Sequence, residues 1–202
     1  LGKHKKQLFQ LEALLFGQAG LLNKDFVDEY PNKLKKEYHF LQKKFNLIPL
    51  SAHIWKFGGL RPPNFPSVRL AQFAALIYQS SSLFSKILNA KKLKDYHDLF
   101  QVQISDYWQT HYVFDKLSKK RKKSLGQSSI NNIIINTIIP IMFVYGNQRD
   151  ILEFKEKPLQ LLAEIKPEKN SIIKKWNALD ISTKSAYDTQ ALLQLKNEYC
   201  QY

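Results

Sequence analysis

From Ile130 to Gly146 the chain reads INNIIINTIIPIMFVYG and carries no charge, in a sequence that is 24% charged. Apolar or methyl-bearing side chains fall at 130, 133, 134, 137, 138, 141, 142 and 145, the i, i+3, i+4, i+7 recurrence of a helix face. Ile135, Ile139 and Phe143 make the opposite face apolar, which predicts a helix packed on all sides. Ser128 or Ser129 suits its N-cap, Gly146 its end, and Pro140 predicts a kink. The remaining elements are expected to pack around this central helix, about 128–146.

Upstream, residues 3–16 pattern as an amphipathic helix with Leu8, Leu11, Leu14 and Leu15 apolar, broken by Gly17 and Gly20. Asp25 suits the cap of a second helix to about Asn46, interrupted near Pro31. Its stripe is Leu34, Tyr38, Leu41 and Phe45, opposite Lys33, Lys35, Lys36, Lys43 and Lys44. Four of the eight prolines, with Gly58 and Gly59, make Pro49 to Pro66 the least helical stretch. Pro66 then opens a helix through Gln79, with Val68, Ala71, Phe73 or Ala74, Ala75 and Tyr78 inward. Short helices are expected at Ser80 to Ala90 and Lys92 to Phe100, whereas 101–115 suits a strand or a helix equally. A charged loop spans 115–127. Pro158 and Pro167 are expected to begin helices to about Ile165 and Leu179, and Ser185 to Tyr199 forms the last. Strand alternation is nearly absent, so the class is all-α, an irregular multi-helix domain over 1–202.

Composition narrows the function classes. At 44% hydrophobic, with 13 Phe, 10 Tyr and 3 Trp, the chain builds a packed core. The central run contains Asn131, Asn132, Asn136 and Pro140, so it reads as a poor membrane span and no membrane association is expected. A single cysteine, Cys200, forms no internal disulfide and fits a reducing, cytoplasmic setting. No signal peptide is recognised, and a chain opening on Leu1 reads as part of a longer protein. The net charge of +14 favours a polyanionic partner, DNA or RNA, although 27 Lys against 4 Arg also fits a merely Lys-rich surface.

Two stretches are candidates for anion or nucleic-acid binding. Lys119, Lys120, Arg121, Lys122 and Lys123 are five consecutive cations in a loop, expected to be solvated and mobile and to release counterions on a phosphate backbone. Arg61 and Arg69 flank a rigid PPNFP turn, and Arg69 falls in the first turn of a helix, where a bound anion would offset the helix dipole. The structural alternative is that both arginines pair with acidic side chains or cap carbonyls and lock the loop. Asp106 and His111 in DYWQTHY match a general base with its orienting carboxylate, yet the same spacing suits core packing with satisfied polar tips. His4, His39, His53 and His97 lack metal-ligand spacing, and no phosphate loop, dinucleotide fingerprint or nucleophile elbow occurs. No catalytic residue, metal or cofactor is therefore assigned.

Ordered blocks QLEALLFGQAG (10–20), EYHFL (37–41), WKF (55–57), RPPNFP (61–66), RLAQ (69–72), LFSKI (83–87), YWQTHY (107–112), LG (125–126), NTIIP (136–140), VYG (144–146) and QALLQLKNEYC (190–200) carry a resemblance. The chain resembles the carboxy-terminal half of the bacterial proteins of the domain of unknown function 2851 family. The resemblance implies a missing amino-terminal half, faintly like a restriction-endonuclease core, and no established activity. It also implies further cysteines beyond Cys200, which would suit a metal site in the intact protein. The functional expectation is an accessory helical module binding nucleic acid beside that nuclease-like domain, itself not catalytic. The alternative is a non-enzymatic scaffold or protein-interaction domain.

Overall fold

A computed structural model describes residues 7–200. The helices are α1 (Leu8–Gln18), α2 (Glu29–Phe45), α3 (Pro66–Gln79), α4 (Leu83–Asn89), α5 (Leu93–Leu99) and α6 (Asp106–Thr110). A ribbon of β1 (His111–Val113) and β2 (Lys116–Leu117) follows. Then come α7 (Gln127–Ile133), a π turn (Ile134–Ile138), α8 (Ile139–Arg149), α9 (Leu152–Glu164), α10 (Ser171–Asn177) and α11 (Ala186–Glu198). The fold is all-α, with two short strands as the exception. Where the hydrophobic pattern reads as one domain, the chain forms two compact units. The first comprises the chain up to Leu83 with Phe100–Leu125, the second Phe84–Leu99 with the chain from Gly126.

In the first unit α1 packs on α2 and α3 through Leu11, Ala13 and Phe16, all buried. The expected break at Gly17 does not occur: α1 runs through it, because Gly17 lies flat against the Tyr38 ring of α2, where a Cβ would collide. The true stop is Gly20, at φ +70, a conformation that favours glycine. The expected start at 3–6, and His4, lie outside the described residues. Helix α2 begins after Asp28 rather than Asp25, and Pro31 sits in its first turn, where a missing N–H breaks no helical bond. Leu34, Tyr38 and Leu41 are buried as the stripe predicts, while Phe45 is exposed. In α3 the choice between Phe73 and Ala74 falls to Ala74, and Tyr78 is also exposed. Ala71, Ala74 and Ala75 face inward because small side chains let α1 approach α3 closely.

The ambiguous 101–115 stretch uses both states. Val102 and Ile104 are buried in extended chain, α6 follows, and β1 pairs antiparallel with β2, His111 opposite Leu117. Asp115 makes the turn at φ 60, and its Oδ1 accepts the Val27 and Asp28 N–H groups at 3.1 and 2.9 Å. Trp108, wholly buried, stacks on Phe16 at 4.9 Å and closes this core with Phe114.

In the second unit the helix from Gln127 to Arg149 is continuous for 23 residues. Gly126 is its N-cap in place of Ser128 or Ser129, and Asp150, at φ 53, ends it in place of Gly146. Gly146 serves a different purpose: a Cβ there would lie 2.7 to 2.9 Å from Phe154 atoms of α9. We expect Gly146→Ala to separate α8 from α9 and cost about 1 to 3 kcal/mol, read as a lower thermal midpoint. An unchanged midpoint would show that α9 yields freely. Ile130, Ile134, Ile135, Ile138, Ile139 and Met142 are buried, but Asn132, Asn136 and Thr137 are exposed, as are Ile141 at 51% and Phe143 at 44%, so the helix is not packed on all sides. By length and composition this helix is long and apolar enough to cross a membrane, and among the described residues no other helix is. Its buried isoleucines are the pattern of a core helix.

Pro140 does not simply kink the helix. It widens the preceding turn to π geometry, so that Ile139 N–H reaches the Ile134 carbonyl, five residues back. Pro158 lies inside α9 rather than at its start, and Pro167 stays in a loop before α10. Asn170 caps α10 by accepting Ile173 N–H at 2.9 Å, and Ser185 with Asp188 forms a capping box on α11.

Candidate nucleic-acid interface

Of the chain's 31 basic and 17 acidic residues, the sequence stretches of the first unit hold 18 and 7, which puts +11 of the +14 there. The loop after β2 is the densest cationic stretch. It is anchored rather than loose. Ser118 donates from N–H and Oγ to the Thr110 carbonyl at 2.7 and 2.9 Å, and Arg121 N–H donates to Gln109 O at 2.9 Å.

Lys123 departs from the expected solvated run. It is buried, its Nζ donating to the Trp108 and Gln109 carbonyls at 2.6 and 3.0 Å and lying 4.1 Å from the Tyr112 ring centre. Burial lowers its pKa from the ordinary lysine value. Five like charges in a row cannot all seek solvent when the loop must close on α6, so one becomes the anchor. Lys119, Lys120, Arg121 and Lys122 stay exposed, with no side-chain partner among the described residues.

Arg69 is brought beside this loop. Its guanidinium donates to Gln72 Oε1 at 3.0 Å and Asn64 Oδ1 at 2.7 Å, and Gln72 Nε2 donates to the Lys123 carbonyl at 2.9 Å. Arg69 thus fastens the Pro62–Asn64 turn to α3 through side-chain amides, and half-burial lowers its pKa. Arg61 is exposed at the start of the same turn and has no side-chain partner among the described residues. On α2, Lys33 pairs with Glu29 and Lys35 with Asp25, while Lys36, Lys43 and Lys44 remain exposed.

His111 has an orienting carboxylate, but it is Asp28, 3.3 Å from Nε2, and not Asp106, which accepts from Gln109. Its Nδ1 lies 2.9 Å from the Tyr107 carbonyl and 3.0 Å from Thr110 Oγ1, and its ring stacks on Tyr107 at 3.9 Å. Tyr107 in turn donates to Asp28 at 2.7 Å. With both ring nitrogens engaged, the arrangement is that of a core polar network.

A second buried polar cluster, which periodicity alone left unread, adjoins it through the Tyr30 ring stacked on Tyr107 at 4.8 Å. Glu12 is wholly buried, and its Oε2 accepts from Tyr30, Ser105 and Trp108 at 2.5, 3.2 and 3.3 Å, while Oε1 has no partner. Burial raises its pKa above the ordinary 4.5, the three donors opposing this. Burial and the Glu12 carboxyl push the Tyr30 phenol upward as well. The signal was present: Glu12 lies four residues from both Leu8 and Phe16, on the apolar stripe of α1.

Among the described residues no group of three or more His, Cys, Asp or Glu is placed to hold a metal. Cys200 is a free thiol near the end of α11, its carbonyl accepting from Lys196 at 2.8 Å. No curated protein and no solved structure matches the chain. A family model described as protein of unknown function (DUF2851) matches residues 1–171, most of the length, and the chain belongs to that family.

Proposed function

We propose that the first unit binds nucleic acid through its phosphate backbone, as an accessory helical module rather than a catalytic one. The observation that carries this reading is the anchored loop: four exposed cations, Lys119, Lys120, Arg121 and Lys122, held by backbone bonds at 118 and 121 and by the buried Lys123. An anchored loop loses little conformational entropy on binding, and unpaired cations release counterions from a phosphate backbone. Arg61 and the α2 lysines extend the same chemistry.

The test is the affinity for mixed-sequence DNA and RNA between about 50 and about 200 mM salt. Replacing Lys119, Lys120, Arg121 and Lys122 by Gln should weaken binding and flatten the log–log salt slope by roughly 3, with the thermal midpoint unchanged. No binding by the unaltered protein at low salt overturns the reading. A protein-interaction scaffold would then remain, a role favoured by the exposed Phe40, Phe45, Ile48, Leu50 and Ile54.

A further inference from the structure

The second unit contains a cleft of about 570 Å³ between the α7–π-turn helix and the loop before α10. One wall offers neutral amides and a hydroxyl: Gln127, Ser128, Asn131, Asn132 and Asn136. Asn131 is held by His97 Nε2 at 2.7 Å, whereas Asn132 and Asn136 are exposed, Asn136 Nδ2 donating one hydrogen to the Asn132 carbonyl at 3.0 Å and keeping its Oδ1 and second hydrogen. The facing wall brings Lys166 and Lys169, both exposed and without an ion-pair partner among the described residues. Ile135 and Ile165 form an apolar floor. The cleft's one acid, Glu168, is engaged, accepting Gln190 Nε2 at 2.5 Å and Thr189 Oγ1 at 3.3 Å. Beyond it a second recess of about 580 Å³ shares Asn136 and Glu168 and is lined by Tyr187, Gln190, Gln194 and Asn197.

The π turn also frees backbone carbonyls of their helical donors. Ile139 N–H is taken by the Ile134 carbonyl, and Pro140 has no N–H, so the Ile135 carbonyl loses both its i+4 and its i+5 donor. Pro140 likewise leaves the Asn136 carbonyl without its i+4 donor. Both of these residues line the cleft. A carbonyl without its helical donor can accept a bond from outside the helix.

We propose that this cleft is a nucleotide subsite, taking an unstacked base against Asn132, Asn136 and the freed carbonyls, with its phosphate on Lys166 and Lys169. Carboxamides read base edges because each presents a donor and an acceptor side by side. Single-stranded segments are recognised in this way, by bases splayed into pockets and stacked on aromatic rings. Tyr187, half-exposed in the adjoining recess, offers such a ring to a neighbouring base. A peptide backbone would use the amides but leave both lysines without a purpose. The inference rests on the nucleic-acid reading for the class of ligand, but it uses other residues.

The experiment measures affinity for three single strands of equal length: oligo(dC), oligo(dT) and an abasic strand. The Asn132 and Asn136 carboxamides can pair the donor and acceptor of an exposed pyrimidine edge, so oligo(dC) and oligo(dT) should each bind roughly tenfold tighter than the abasic strand. Asn132→Ala with Asn136→Ala should bring oligo(dC) down to the abasic level while the thermal midpoint holds. Lys166→Gln with Lys169→Gln should weaken oligo(dC) and oligo(dT) alike. Equal affinity for all three strands overturns the subsite and leaves the charged loop standing, as does a base preference that survives the double Ala variant. Absence of binding by every strand at low salt overturns both readings.

Discussion

Replacing Ile134 by Asp is expected to abolish the cooperative thermal melt of the second unit. Ile134 is wholly buried at the start of the π turn, with Ile130 and Ile138 buried one turn to either side. An unpaired carboxylate there costs several kcal/mol, a large part of the roughly 5 to 15 kcal/mol that holds a domain together. Ile138→Asp, also buried, should do the same. Ile141→Asp is the internal control: at 51% exposure its charge stays hydrated, and the shift should stay within roughly 0.5 kcal/mol. Melts followed by circular dichroism distinguish the three. A cooperative, unshifted transition in Ile134→Asp would refute the placement of this helix at the centre of its unit.

The second large effect is a dependence of stability on pH that traces to Glu12. Its carboxyl is raised above 4.5 by burial, so the folded state holds a proton that the unfolded state releases. The sign follows. The protonated carboxyl contributes fully below about pH 4.5, the unfolded value, and this contribution is lost as pH rises through the folded value. Glu12→Gln keeps the shape and an acceptor for Tyr30, Ser105 and Trp108 but cannot ionise. The variant and the unaltered protein should melt together near pH 4.5. Above that the variant should gain by up to about 1.4 kcal/mol per pH unit until the folded carboxyl ionises. Glu12→Ala, which strands the buried Trp108 donor and the part-buried Tyr30 and Ser105 hydroxyls, should melt lower at every pH. Parallel curves for Glu12→Gln and the unaltered protein would show that the carboxyl is ionised in the fold.

Sequence periodicity located most helices because amphipathic spacing is a local property. Leu34, Tyr38 and Leu41 on α2, and Ile130, Ile134 and Ile138 on the central helix, are buried where the 3.6-residue period puts them. Pro66 opens α3 and Ser185 caps α11 for equally local reasons, a fixed φ in one case and a side-chain acceptor in the other. Glycine misled where the cause was not local. Gly17 and Gly146 sit inside helices because Tyr38 and Phe154, distant in sequence, leave no room for a Cβ. A spacing pattern is blind to such a neighbour.

The candidate sites divide in the same way. The amino-acid sequence by itself determined the charge excess, its concentration in 119–123, the apolar core helix and the family. Tertiary structure decided which charges face solvent. Lys123 turns inward because carbonyls of Trp108 and Gln109 converge on it, and Arg69 is taken up by Asn64 and Gln72. It also replaced Asp106 by Asp28 as the partner of His111, and set Asn132 and Asn136 across a cleft from Lys166 and Lys169. Pairings between residues far apart in sequence follow from how whole elements pack, and the physical reason is that burial and hydrogen bonding act on distance in space, which linear spacing does not encode.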